Sequence, residues 1–160
     1  MKYYLLIPLF FTLLPPHFQD IPEDSNVIII TTTDTPEEAF TKMGKLLIKE
    51  GYTLEQVDKT FLMLVTKIKA ANYGFLNVQH LDIKITVEIF SEPTRVKMVC
   101  EYDDPAISRA MNVTPSFDRH KSRARYTGGG SITAAFEMMN EVAQKYPSAE
   151  ITYSIEEVEE

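Results

Sequence analysis

The chain has 160 residues and a formal net charge of -7, with 44% hydrophobic and 24% charged residues. This length fits one domain with one core, and the composition argues against wholesale disorder and against a multi-span membrane protein. The acidic excess disfavours general affinity for nucleic acid. The single cysteine, Cys100, excludes an intramolecular disulfide and a cysteine-rich metal site. It lies in an alternating strand pattern, which indicates an inert buried thiol.

Residues 1–19, MKYYLLIPLFFTLLPPHFQ, contain one lysine and then an apolar run interrupted only by Pro8 and Thr12. The run is too short to cross a hydrocarbon core about 30 Å thick, but it suits the apolar region of a secretory signal. No small-x-small cleavage triplet precedes Gln19 or Asp20, so both a cleaved signal peptide and a retained N-terminal anchor stay open. We therefore expect export to the periplasm or cell envelope, with membrane contact only through this segment.

A linker, a strand and a helix are predicted next. Residues 20–25, DIPEDS, indicate a short polar linker, and NVIIITTT from Asn26 is β-branched almost throughout, which predicts a strand. The segment DTPEEAFTKMGKLLIKEG then carries the signals of a complete helix. Thr35 and Glu38 form a Thr-x-x-Glu capping box, and Gly51 can end the helix with positive φ.

Four strands are predicted after this helix, because hydrophobic residues recur at every second position. Their segments are Tyr52 to Asp58, Phe61 to Lys69, LDIKITVEIF from Leu81, and RVKMVCEY from Arg95. A second helix is expected from Ser131 to Tyr146, and a last strand is indicated by Ile151, Tyr153 and Ile155. This order, β-α-β-β-β-β-α-β, predicts an α+β fold with an antiparallel sheet of about five to six strands and two helices packed on one face.

The expected organisation is one α+β domain at residues 26–155 followed by an acidic tail at residues 156–160. Residues 104–130 form a predicted loop insertion within the domain, because two prolines, three consecutive glycines and a basic run leave no hydrophobic period. Loops of this length without structure of their own usually carry function or are disordered.

The stretch DRHKSRARYTGGGS, residues 118–131, is the candidate contact surface. It combines basic, aromatic and glycine positions, namely Arg119, Lys121, Arg123, Arg125, Tyr126, Gly128, Gly129, Gly130 and Ser131. Glycines before a helix whose first N–H groups point outward can cradle an anion, with guanidinium groups supplying bidentate contacts. The stretch does not match the phosphate-loop pattern, because no Gly-Lys-Ser/Thr follows the glycines. We expect it to contact an anionic ligand or an envelope protein, and the remaining interpretation is a solvated loop.

His80 and Asp82 are the alternative candidate site. They form an i, i+2 pair on one strand face, which could bind a metal or act as a base. Their polar neighbours Lys84 and Glu88 favour plain surface exposure instead. The sequence therefore favours a non-enzymatic binding or structural module over a small envelope enzyme or metal-dependent binder using His80 and Asp82. It indicates no catalytic residue, metal site or cofactor.

The layout resembles small exported modules of Gram-negative envelopes. The similar segments are the strand NVIIITTT, the helix TPEEAFTKMGKLLIKEGY, the segment LEQVDKTFLMLVTKIK, and the strand QHLDIKITVEIF followed by RVKMVCEY. Two families share them: the C-lipoprotein of the outer-membrane barrel-assembly machinery, and a secreted domain-of-unknown-function family with a TATA-box-binding-protein-like fold. The resemblance covers about residues 26–155 and implies the fold and export, but it transfers no functional residue. The chain departs from envelope lipoproteins because it lacks their lipid-bearing cysteine.

Overall fold

A computed structural model describes residues 20–74, 79–105, 122–147 and 149–157. Within these ranges the chain forms eight strands and two helices. The strands are β1 (Val27–Thr31), β2 (Leu54–Asp58), β3 (Met63–Thr66), β4 (Lys69–Tyr73), β5 (Gln79–Phe90), β6 (Arg95–Asp103), β7 (Ser122–Arg123) and β8 (Glu150–Ser154), and the helices are α1 (Pro36–Lys49) and α2 (Gly130–Gln144). The predicted α+β fold is confirmed, and the element order roughly matches the prediction.

All eight strands belong to one antiparallel sheet. Six of them follow the order β2-β3-β5-β6-β1-β8, and β4 and β7 lie off this path. The centre is the long pair β5 and β6, which stays in register from Asp82↔Asp103 to Phe90↔Arg95. Two short strands pair with the parts of β5 and β6 that β3 and β1 do not reach. β4 follows β3 along β5, and β7 lies beyond β1 along β6.

The strand count exceeds the predicted five to six for two reasons. The predicted strand Phe61 to Lys69 is divided into β3 and β4, and the chain stays extended as far as Tyr73. At the division the buried side chain of Thr66 accepts a hydrogen bond of 2.9 Å from the Ile85 N–H, replacing a ladder bond. The second reason is β7, which lies within the predicted loop insertion 104–130.

The core lies between one face of the sheet, here called the helix face, and the two helices. Alternate residues of β5 are buried there, namely Leu81, Ile83, Ile85, Val87 and Ile89. From α2, Phe136 and Met139 are fully buried against them. Full burial of one such side chain contributes about 1.5–3 kcal/mol, so docking onto the sheet is the main source of helix stability.

The start and end of α1 are fixed as the sequence predicts. The Glu38 N–H donates to the Thr35 hydroxyl at 3.3 Å, and the Thr35 N–H donates to the Glu38 carboxylate at 3.0 Å. Both bonds of the capping box are therefore present. Gly51 follows the helix with φ +80°, a conformation that glycine adopts without steric cost.

The opposite face of the sheet, here called the open face, carries ion pairs. Lys84 lies 2.9 Å from Glu55, and Lys97 lies 2.7 Å from Glu156 and 3.8 Å from Glu88. A polar face of this kind is typical of an antiparallel sheet that is covered on one side only.

Residues on both sides of the predicted domain contact it. In the predicted linker, Ser25 is fully buried and the Asp24 N–H donates to the Tyr126 carbonyl at 2.7 Å. In the predicted acidic tail, Glu156 is held by the Asn26 side chain, which donates to its carbonyl and accepts from its N–H, both at 2.8 Å. These contacts hold residues 24, 25 and 156, which flank the predicted domain, against it.

Candidate functional site

The described part of the predicted contact surface begins as a strand. Arg123 pairs with Glu101 and Ser122 with Tyr102 in the β6–β7 ladder. The chain then stays extended, because the Ala124 N–H donates to the Cys100 carbonyl at 2.8 Å. The sequence predicted a loop at residues 122 and 123, and this prediction is wrong because they form a strand. The residues before them, 106–121, lie outside the described residues.

The two described arginines of the surface take part in ion pairs within the chain. Arg123 lies on the open face and donates to Glu156 at 2.8 Å. A hydrogen bond from Lys97 and another from Arg123 hold the pKa of Glu156 below its usual value. Arg125 lies 3.9 Å from Asp24, and both of these side chains are about half exposed. Arg119 and Lys121 fall outside the described residues, so their predicted roles remain predictions.

Tyr126 lies on the helix face, away from Arg123. Its backbone N–H donates to the Ser25 carbonyl at 2.9 Å, which ends the extended segment. Its ring packs against Phe136 of α2, with 6.1 Å between ring centroids. Alternation along the strand thus separates Arg123 from the aromatic member of the predicted surface.

The three glycines form an open turn that leads into α2. Gly128 and Gly130 have φ values of +82° and +81°, which other residues rarely adopt, whereas Gly129 is extended. The Thr133 hydroxyl fixes the turn by accepting hydrogen bonds from the Thr127 N–H at 3.0 Å and the Gly129 N–H at 3.1 Å. A Cβ atom added at any of the three glycines would meet no heavy atom within 4 Å, so packing does not require their small size.

A cavity of about 310 Å³ lies beside this turn. Its lining combines the glycines with the aromatic rings of Tyr73 and Tyr126, the thioether of Met138 and the carboxylates of Glu137 and Glu141. Among the described lining residues there is no basic side chain. The arrangement can therefore accept an apolar or aromatic group together with a hydrogen-bond donor or a positive charge.

A tyrosine hydroxyl is bonded to a carboxylate beside the cavity. The Tyr73 hydroxyl donates to Asp104 at 3.1 Å. Burial raises the pKa of Tyr73 and that of Tyr102, and the negative charge of Asp104 adds to the shift. Both hydroxyls are therefore protonated at neutral pH.

The structure brings part of the predicted surface together and adds residues that the sequence did not single out. Tyr126 and the three glycines line one cavity, and Ser131 lies near it, whereas Arg123 is on the other face of the sheet. The additional lining residues are Tyr73, Glu137 and Glu141. The i, i+4 spacing of the two glutamates on a predicted helix was the only sequence signal for them, and Tyr73 gave none because its strand was not predicted.

The alternative site forms a surface hydrogen bond. The His80 Nδ1 atom lies 2.6 Å from the amide oxygen of Asn72, its cross-strand neighbour. Burial, and then the charge of Asp103, raise the pKa of Asp82. Within residues 20–74, 79–105, 122–147 and 149–157, no group of three or more His, Cys, Asp or Glu side chains is arranged to hold a metal ion.

The single cysteine lies in the core. Cys100 is fully buried, and burial raises the pKa of its thiol to about 12. The thiolate is the nucleophilic form, so this thiol is unreactive at neutral pH.

Comparison with known proteins gives no family for this chain: no protein-family model matches it, and no curated protein matches it significantly. In the part of the chain that the structure describes, no helix is long and apolar enough to span a bilayer.

Proposed function

We propose that this chain is an exported protein of the periplasm or cell envelope that acts as a non-enzymatic binding module. Its contact surface is the glycine turn, Gly128–Gly130, with the cavity beside it. The observation that carries the proposal is that the turn stands open over about 310 Å³ of unfilled space. Concave sites of this size with aromatic walls and a few polar groups are typical ligand sites.

The cavity favours a protein partner over an anionic ligand. Two carboxylates, Glu137 and Glu141, line it, while Arg123 and Arg125 pair with Glu156 and Asp24. Placing an anion beside two carboxylates is electrostatically unfavourable. A partner that presents a basic side chain would instead gain from both charges and from the tyrosine rings.

The resemblance to exported envelope modules supports the same proposal at the level of fold. The helix-covered antiparallel sheet has the layout that the resemblance implies. Export itself rests on the apolar run in residues 1–19. Fractionation of cells tests it: we expect the chain in the envelope or periplasm, and a Phe10→Arg/Leu13→Arg variant in the cytoplasm. A wild-type chain that stays in the cytoplasm contradicts the proposal.

Site-specific photocrosslinking in intact cells tests the contact surface. Gly129 and Ala134 line the cavity, and Thr41 is an exposed position on α1. Gly129 has an extended backbone, and an added Cβ atom there meets nothing within 4 Å. We expect a crosslinker at Gly129 to give a discrete product and a crosslinker at Thr41 to give none. Filling the cavity by Ala134→Trp should remove the product formed from the crosslinker at Gly129, whereas Thr41→Trp should leave it. Equal products from both positions, or none from Gly129, would contradict the proposed surface.

A further inference from the structure

The geometry points to a specific kind of partner: we propose that an extended, basic polypeptide segment binds as an additional strand along the edge of β4. This inference rests on the proposed function, because it names the partner class of the same surface. It goes beyond that function by assigning the binding mode and the side-chain pattern of the partner.

The cavity beside the glycine turn is one end of a longer groove. A second cavity of about 200 Å³ shares Met138 and Glu141 with the first. It continues along α2 as far as Val142, and its other side is formed by Lys69 and Ala71 of β4. The groove therefore runs the length of β4, with this strand on one side and α2 on the other.

Among the described residues, the outer edge of β4 has no strand paired with it. β4 pairs with β5 from Lys69↔Ile83 to Tyr73↔Gln79, and no other described strand pairs with it. A strand at the edge of a sheet presents a row of backbone N–H and C=O groups to which an extended segment can add. β2 and β8 also have an outer edge, but neither contributes a residue to the groove.

The wall of the groove selects for positive charge. Glu137 and Glu141 are exposed and, among the described residues, have no hydrogen-bond or ion-pair partner. Like charges four residues apart disfavour a helix, and a cation bound between them would relieve this repulsion. Glu50, at the far end of the groove, is instead paired with Lys145.

An ammonium group of the chain already occupies a comparable position in the groove. The Lys69 ammonium lies 4.0 Å from the centroid of the Tyr52 ring and donates to the Glu50 carbonyl at 2.8 Å. The Tyr52 ring and the Glu50 carbonyl thus already hold a cation at this end of the groove. A further cation would be repelled there, so the basic side chains of the segment are assigned to Glu137 and Glu141.

The spacing of the two free carboxylates matches a strand. Four residues along a helix advance by about 6 Å, and alternate side chains of a strand are roughly 6.6 Å apart. A segment in which basic residues alternate with small polar ones would therefore place successive cations opposite Glu137 and Glu141. The other residues of the segment would point away from α2.

Binding of a model peptide to the full chain in mild detergent tests the inference. The probe is fluorescently labelled acetyl-Thr-Lys-Thr-Lys-Thr-Lys-Thr-amide, and the readout is fluorescence anisotropy. We expect saturable binding that the variant Glu137→Gln/Glu141→Gln weakens by roughly tenfold or more, as for loss of close charge pairs. The matched control, Glu37→Gln/Glu150→Gln, removes the same charge at exposed positions elsewhere and should change affinity by less than about twofold. No saturable binding, or equal weakening by both variants, overturns the inference.

Backbone methylation of the probe tests the strand addition itself. N-methyl groups on the lysines remove the N–H donors of one edge of the peptide, and N-methyl groups on the threonines remove those of the other. We expect one methylated peptide to bind and the other to fail. Peptides that behave alike would show that no edge pairing occurs and would overturn the inference.

The crosslinking experiment separates failure of this inference from failure of the proposed function. If the peptide fails while crosslinks at Gly129 persist and are sensitive to Ala134→Trp, only the strand addition is wrong. If crosslinks at Gly129 are absent as well, the contact surface itself is wrong.

Discussion

The Tyr146 hydroxyl donates a hydrogen bond of 2.8 Å to the Asp34 carboxylate, which joins the end of α2 to the residue before the Thr35 cap of α1. Hydrogen bonds from Lys42 and Tyr146 lower the pKa of Asp34 from its ordinary value of 3.8. A carboxyl group with a lowered folded-state pKa stabilises the fold above its unfolded pKa, and this stabilisation is lost as the pH falls through the folded pKa.

We therefore expect Tyr146→Phe to lower the free energy of unfolding at neutral pH and to have a progressively smaller effect as the pH falls below 3.8. Urea denaturation at a series of pH values measures this. Tyr153→Phe is the control, because its hydroxyl bonds only to the uncharged Asn140 and Gln144 among the described residues. An effect of Tyr146→Phe that does not change with pH would contradict the role of Asp34.

Thr66 supplies a second test, at the division between β3 and β4. Thr66→Val keeps the volume but leaves the buried Ile85 N–H without its acceptor, so we expect a loss of about 1–3 kcal/mol in the free energy of unfolding. Thr86→Val, on the open face of the sheet, should change stability by less than about 0.5 kcal/mol. Similar losses for both variants in denaturant titrations would show that the side-chain bond is not needed.

We expect alanine substitutions to have different effects on stability at the three glycines of the turn. Gly128→Ala and Gly130→Ala should each cost about 1–2 kcal/mol, because their backbone conformation is left-handed. Gly129 has φ 171° and an added Cβ atom meets nothing within 4 Å, so Gly129→Ala should be close to neutral. Thermal unfolding of the three variants measures the difference. Equal midpoints would contradict the described conformation of the turn.

Arg123 and Arg125 should also differ in their contributions to the free energy of unfolding. Arg123 is mostly buried and bonded to Glu156 at 2.8 Å, whereas Arg125 is half exposed and 3.9 Å from Asp24. We expect Arg123→Ser to cost up to about 1 kcal/mol and Arg125→Ser to cost almost nothing. A double-mutant cycle with Glu156→Gln should recover the coupling of Arg123 at low salt, and the coupling should decrease at high salt. A coupling of zero would mean that the pair does not form in solution.

Much of the fold could be predicted because its signals are local. The capping box of Thr35 and Glu38 needs only two residues three positions apart, and both of its bonds are present. The strict alternation of β5, from Leu81 to Ile89, identified the buried face. The division of the predicted strand Phe61 to Lys69 into β3 and β4 could not be predicted in this way, because it depends on a contact between Thr66 and Ile85, which are distant in sequence.

The candidate site was harder to predict because it combines separate elements. Alternation is present in SRARY, with Ala124 buried and Arg123 on the other face. It is too short to recognise within a long stretch that has no period, so the arginines and the glycines were assigned to one surface. The contribution of Tyr73 required knowledge that β4 ends beside α2, which no local pattern contains.

The clamp between Asn26 and Glu156 has a mechanical consequence. β1 begins beside the end of β8, because the two strands are antiparallel and Val27 pairs with Ser154. Force applied to the chain on both sides of the domain would therefore act on one end of this pair. It would first load the bonds of Asp24 and Ser25 with Tyr126 and the contacts of Glu156 with Asn26, Lys97 and Arg123, and would then peel β8 from β1 one residue pair at a time. In this direction the contacts just outside β1 and β8 are therefore the first resistance of the domain.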